Sequence, residues 1–138
     1  MKIGFTGTRV GMSPLQKMYL ERILIKTKPE KVIHGGCIGA DTEFHGICYY
    51  QKCRRISSLT IAIYPSNLRN QQGNYPNADF YHKEQDPLVR NHIIVDQSDI
   101  LIAAPKYDAE ELRSGTWSTI RYARKIGIPV VILPRGEQ

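Results

Sequence analysis

No apolar run in the sequence approaches the roughly 18 residues that suggest a membrane helix, which excludes a spanning helix of the usual kind. The opening residues, Met1-Lys2-Ile3-Gly4-Phe5, go straight into a strand-like segment. They lack the long apolar stretch and small-residue cleavage site of a secretory signal, so a cytoplasmic protein is expected. Cysteine is scarce: Cys37, Cys48 and Cys53 are odd in number and match no zinc spacing. They read as free thiols in a reducing compartment. Cys37 lies in a glycine-rich turn, where a helix N-terminus lowers a thiol pKa, but it has no evident base partner. His34, His45, His82 and His92 show no metal-ligand spacing. No metal and no other cofactor is expected, and His34, at a strand end, is the histidine of most interest. Internal repeats, low-complexity tracts and interdomain linkers are also missing, so residues 1–138 read as one domain.

What is present is an ordinary globular composition, 41% hydrophobic and 23% charged, with a formal net charge of +6. The positive balance suits an anionic ligand without separating a nucleotide from a nucleic acid. Much of it lies in Lys52, Arg54, Arg55, Arg121, Arg124 and Lys125, near predicted helix ends where cations complement the helix dipole.

Strand and helix patterns alternate along the chain. Strands are predicted at Lys2–Thr6, Lys31–His34, Leu59–Ile63, Ile100–Ala103 and Ile128–Leu133. Ser13-Pro14 and Asp86-Pro87 each pair an N-cap with proline at the first helical position. Leu15, Met18, Tyr19 and Ile23 predict the apolar stripe of the first helix, which runs to about Lys26. Ala40, Phe44, Ile47 and Cys48 mark the second, and a further helix covers about Gly115 to Lys125. The expected fold class is α/β: a single Rossmann-like three-layer domain with a mostly parallel five-stranded sheet. The polar stretch from Tyr64 to Gln85 is long for a structureless loop and reads as a lid, a mobile loop or an oligomer contact. Its Tyr75, Phe80 and Tyr81, interleaved with Asn70, Asn74 and Asn77, suit a lid over a nucleobase.

Four segments follow strands and lead toward helices: Thr6-Gly7-Thr8-Arg9, His34 to Asp41, Ala104-Pro105-Lys106 and Ser114 to Trp117. In an open parallel sheet such segments converge at the carboxyl edge, where ligands bind. Gly35, Gly36 and Gly39 permit close backbone approach, and the helix N-terminus behind them attracts phosphate. The alternative is a tight turn with Asp41 as a helix cap. Thr8 and Arg9 suit a phosphate, with a solvent-facing Arg9 as the alternative. Arg90-Asn91 lies in the first turns of a helix, where a cation opposes the dipole, and this conflict marks Arg90 as a candidate against a plain surface ion pair. Gly115-Thr116 offers a second set of amides. Trp117 either stacks on a base or packs in the core.

Taken together, Thr6-Gly7-Thr8-Arg9, Gly35 to Asp41, Arg90-Asn91 with Asp99 to Ala103, and Gly115-Thr116 resemble the SLOG superfamily. This Rossmann-like group includes DprA and the Lonely Guy phosphoribohydrolases. The resemblance spans Thr6 to about Ile132 and is nearest to short stand-alone members. It implies a nucleotide or nucleotide derivative held between the two glycine-rich loops, with Arg90 at the place of the arginine that acts on the ribose phosphate. It also implies a homo-oligomer. The chain departs from the enzymes at the catalytic glutamate, where it has Thr119, and before Gly115, where it has Leu112-Arg113-Ser114.

The first reading is therefore a module that binds, senses or sequesters a nucleotide-like small molecule. The second is an N-glycosidic hydrolase or transferase in which Asp41, Glu43, Glu110 or Glu111 replaces the missing carboxylate. The third is a binder of single-stranded nucleic acid. No membrane partner is expected.

Overall fold

The computed structural model describes Met1–Gly136. Residues 137–138 of the domain expected from the sequence lie outside the described residues.

Helices start where the sequence supplies caps. In α1 (Pro14–Thr27) the Ser13 hydroxyl accepts from the Gln16 amide, and the Gln16 side chain accepts from the Ser13 amide at 3.0 Å. Asp86 caps α3 (Pro87–Asp96) and Ser114 caps α4 (Gly115–Ile126) through their side-chain oxygens. Each such cap is worth about 1 kcal/mol. Helix α2 (Ala40–Arg54) has no side-chain cap and begins at Gly39 with φ 89°.

The face that α1 buries differs from the expected stripe. Gln16, Leu20 and Leu24 are buried, whereas Met18 and Tyr19 are exposed. Gln16 decides the rotation: its side chain donates to the carbonyls of Pro105 and Leu133, so this polar residue faces inward and Leu20 and Leu24 follow it at helical spacing.

The strands are β1 (Lys2–Gly7), β2 (Lys31–His34), β3 (Thr60–Ile63), β4 (Phe80–Tyr81), β5 (Ile100–Ala104) and β6 (Val130–Ile132). They form a six-stranded sheet in the order β4-β3-β2-β1-β5-β6, with every pairing parallel. The expected count of five was one short. The extra strand, β4, comes from the long polar stretch, where Asp79 accepts from the Ile61 amide at 2.8 Å and pairs with Lys52. That stretch is knitted into the sheet edge and does not hang free as a lid.

Two layers of helix cover the sheet. Phe5, Leu20, Leu24, Val32, Phe44 and Ile61 share the core under α1 and α2. On the other face Ile33, Ala62 and Ile94 pack under α3, and Ala103, Trp117 and Ile120 under α4. Among the described residues no helix is long and apolar enough to cross a membrane.

Candidate functional site

The chain leaves β1 in one direction to build β2, β3 and β4, then returns to place β5 on the other side of β1. The adjoining loops diverge at this reversal and leave a crevice at the carboxyl ends of the strands. A cavity of about 490 Å³ lies there. Phe5 to Val10 line it from the end of β1, and Gly35, Cys37 and Asp41 from the turn into α2. Helix α3 contributes Arg90 and Asn91, and the segment after β5 contributes Lys106 and Arg113 to Thr116. Leu68 and Gln71 close the far wall.

Of the residues singled out in the sequence, Thr6, Gly7, Thr8, Arg9, Gly35, Asp41, Arg90, Asn91, Gly115 and Thr116 meet around this one cavity. Gly36, Gly39 and Trp117 are not among its lining. Trp117 is only 4% exposed and packs in the α4 core, so of its two readings the core one holds. Tyr75, Phe80, Tyr81 and the asparagines of the long stretch do not line the cavity either. Leu68 and Gln71 do, and as isolated residues in a polar segment they carried no pattern. Arg113 was also missed. Its signal was its place just before Ser114, the cap of a helix that opens on the crevice.

The glycine-rich turn is used differently from expectation. Its amides are engaged within the chain: Gly36 donates to His34 Nδ1, Cys37 to Asp41 Oδ2 at 3.0 Å, and Ile38 to the Gln71 carbonyl. The first amide of α2, on Ala40, donates to the Thr8 carbonyl. A Cβ on Gly39 would stand 2.2 Å from the Arg9 carbonyl oxygen, so that glycine lets chain approach chain. The Asp41 carboxylate occupies the position among these amides that was expected for a phosphate.

The start of α4 is open. Among the described residues the amides of Gly115 and Thr116 have no partner, and neither does the Thr116 hydroxyl, although Thr116 is only 6% exposed. Arg9, Lys106 and Arg113 stand around the same cavity, and none has an ion-pair partner among the described residues.

Arg90 is buried and spans the site. Its Nη1 donates to the Gly35 carbonyl at 2.7 Å and the Tyr64 carbonyl at 3.3 Å, its Nη2 to Cys37 Sγ, and its Nε to Asn91 Oδ1 at 2.7 Å. It thus ties the ends of β2 and β3 to α3. It also fixes the Asn91 amide, whose oxygen is taken and whose NH₂ group is left over. A side chain at Gly35 would displace the Arg90 guanidinium, because its Cβ would lie 2.4 Å from Arg90 Nη1.

Among the described residues Asp41 is the one carboxylate in the cavity lining. Burial pushes its pKa up to about 6, against the pull of the Cys37 amide and the Arg90 charge. The other candidate carboxylates are elsewhere. Glu43 accepts from the Met12 amide and pairs with Lys17, Glu110 pairs with Arg121, and Glu111 is outside the lining. Burial and the Asp41 charge raise the Cys37 thiol, which removes the case for a thiolate nucleophile at neutral pH. Beneath the turn, His34 Nε2 and His45 Nδ1 are 2.9 Å apart. Because Gly36 donates to His34 Nδ1, the His34 proton sits on Nε2 and His45 accepts it. Burial lowers both histidine pKa values, so this pair is neutral and structural. Among the described residues there is no group of metal-ligating side chains.

The sequence matches no family model and no curated protein. Solved structures that share the fold include two at low sequence identity. One is the molybdenum cofactor binding protein from the phototrophic bacterium Rippkaea orientalis, with TM-score 0.67 and 18% identity over 95% of this chain and 74% of that one. The other is the structural-genomics target TM1055, with TM-score 0.61 and 20% identity over 94% of this chain and 71% of that one. At these identities the likeness defines the class of fold: a Rossmann-like α/β sheet with a crevice at its switch point.

Proposed function

We propose that this chain binds a nucleotide or nucleotide-derived small molecule in the crevice at the carboxyl ends of β1 and β5. One observation carries the reading. The amides of Gly115 and Thr116, the Thr116 hydroxyl and Arg9, none with a partner among the described residues, line a cavity at the switch point. Backbone amides at a helix start and a nearby guanidinium form a phosphate site. The ligand phosphate belongs at α4, and not in the glycine-rich turn, where Asp41 already holds the amide of Cys37. Arg90 organises the walls, and Asn91 offers its NH₂ group to an acceptor on the ligand.

SLOG membership is part of this proposal. It rests on the order of the motifs together with the fold likeness. One neighbour is named for binding a cofactor, which supports small-molecule binding over a long nucleic-acid groove. A reducing cytoplasm, one domain over the whole chain and a homo-oligomer complete the proposal.

The enzymatic reading keeps one specific support: Asp41 lines the cavity with its pKa raised to about 6, the range of a general acid or base. A thermal-shift panel of nucleotides, with chromatography of each hit, separates the two. A ligand at about one hundred times its dissociation constant adds roughly 2.7 kcal/mol of stability. An intact nucleotide recovered after a clear shift is the expected result. Free base recovered with a shift would establish cleavage, and no shift with any nucleotide would overturn the proposal.

A further inference from the structure

The loop between β5 and α4 sorts its charges. None of its acids is in the cavity lining: Asp108 accepts from the Arg135 amide at 2.7 Å, Glu110 pairs with Arg121 at 2.8 Å, and Glu111 is outside the lining. Arg121 also donates to the carbonyls of Glu111 and Leu112, which anchors the loop from behind. Its bases, Lys106 and Arg113, line the cavity and have no ion-pair partner among the described residues. Arg9, also in the lining, likewise has no ion-pair partner among the described residues. Arg90 does not join this group, because its donors are spent on carbonyls, Cys37 and Asn91.

Three cations without an ion-pair partner among the described residues therefore line the cavity with the start of α4, where Thr116, only 6% exposed, has a hydroxyl without a protein partner. A phosphate monoester carries about −1.5 to −2 charges at neutral pH, which matches two cations at most. A third cation calls for a further phosphate. We infer that the crevice takes a ligand with two phosphates in series, a nucleoside diphosphate moiety, with Arg9, Lys106 and Arg113 spanning the pair. This inference rests on the nucleotide reading above and adds the phosphate count.

The base is not identified, so the test uses matched pairs: AMP with ADP, GMP with GDP, CMP with CDP and UMP with UDP, alongside phosphate and pyrophosphate. Isothermal titration is run on the wild-type chain and on the double variant K106A/R113A. Both residues are exposed, so the variant should melt at the wild-type temperature in the absence of ligand. Within whichever pair binds, the diphosphate should be tighter by roughly ten-fold or more, as expected for at least one added charge-assisted contact. The variant should reduce that ratio to near unity while the monophosphate loses little. Equal binding of both members of a pair overturns the inference and leaves the nucleotide reading intact. A preference that survives in the variant overturns the assignment to Lys106 and Arg113. Pyrophosphate binding without any nucleotide binding would keep the diphosphate site and remove the nucleoside from it.

Discussion

Below about pH 6 Asp41 holds a proton that the unfolded chain would release. Its folded pKa is about 6, against 3.8 for the ordinary side chain. Between those values unfolding releases a proton, so stability falls as pH rises, and above about pH 6 the full penalty is present. Two pKa units correspond to about 3 kcal/mol. Asp41→Asn keeps an oxygen for the Cys37 amide but cannot ionise. It should be at least as stable as wild type at pH 7.5, and its urea-derived stability should lack the decline between pH 4.5 and 6. The lowered pKa values of His34 and His45 act in the opposite sense, removing stability as pH falls below 6.5. They are common to both proteins and cancel in the difference. Identical pH profiles would refute this account of Asp41. At this scale the sequence was partly legible. Arg90 stood out because a cation in the first turns of a helix needs a reason, and its carbonyl contacts supply one. Trp117 did not, because an indole suits a base stack and a core equally well, and only the packing of α4 on β5 decides.

At the scale of elements, the two helix starts at the crevice divide the work. Gly39, at the start of α2, has φ 89° and would press a Cβ onto the Arg9 backbone. Gly115, at the start of α4, has open space where its Cβ would stand. Gly39→Ala should therefore cost about 3 kcal/mol or more, from backbone strain plus overpacking. Gly115→Ala should leave stability within about 0.5 kcal/mol, as unconstrained surface changes do, yet weaken ligand binding by intruding on the open amides. Denaturant melts and titrations on both variants check the contrast, and a large loss of stability in Gly115→Ala would contradict it. Both glycines look alike in sequence, since a glycine for ligand approach and one for chain approach share the same letter. The caps Ser13, Asp86 and Ser114 and the five apolar strands were readable because their signals are local. Strand β4 was not: its two residues are exposed, and the Asp79 contacts that position it reach across 18 residues to Ile61 and 27 to Lys52.

For the molecule as a whole, Gln16 closes the structure. From the first turn of α1 it donates to Pro105 after β5 and Leu133 after β6, and it accepts from Ser13 and Arg135. Gln16→Met has similar volume but strands two buried carbonyls. Each such loss costs about 1–3 kcal/mol, so a total of about 3 kcal/mol is expected, measured by urea denaturation. A near-neutral outcome would mean that water replaces the amide. The alternation of strands and helices revealed the parallel sheet and the convergence of loops on one edge. It did not reveal this long-range tie, because a glutamine inside an apolar stripe reads as solvent-facing until its partners, about ninety or more residues away, are known.

The margins of the sheet have a consequence of their own. Its outer strands are two residues (β4) and three residues (β6) long, while the inner strands have four to six. Beside β4, Lys31 lies over the Phe80 ring. A parallel sheet with long bare margins invites another chain to add itself and begin a fibre. Here a newcomer would find only a few free amides and carbonyls on either side. The brevity of its outermost strands works against edge-to-edge aggregation.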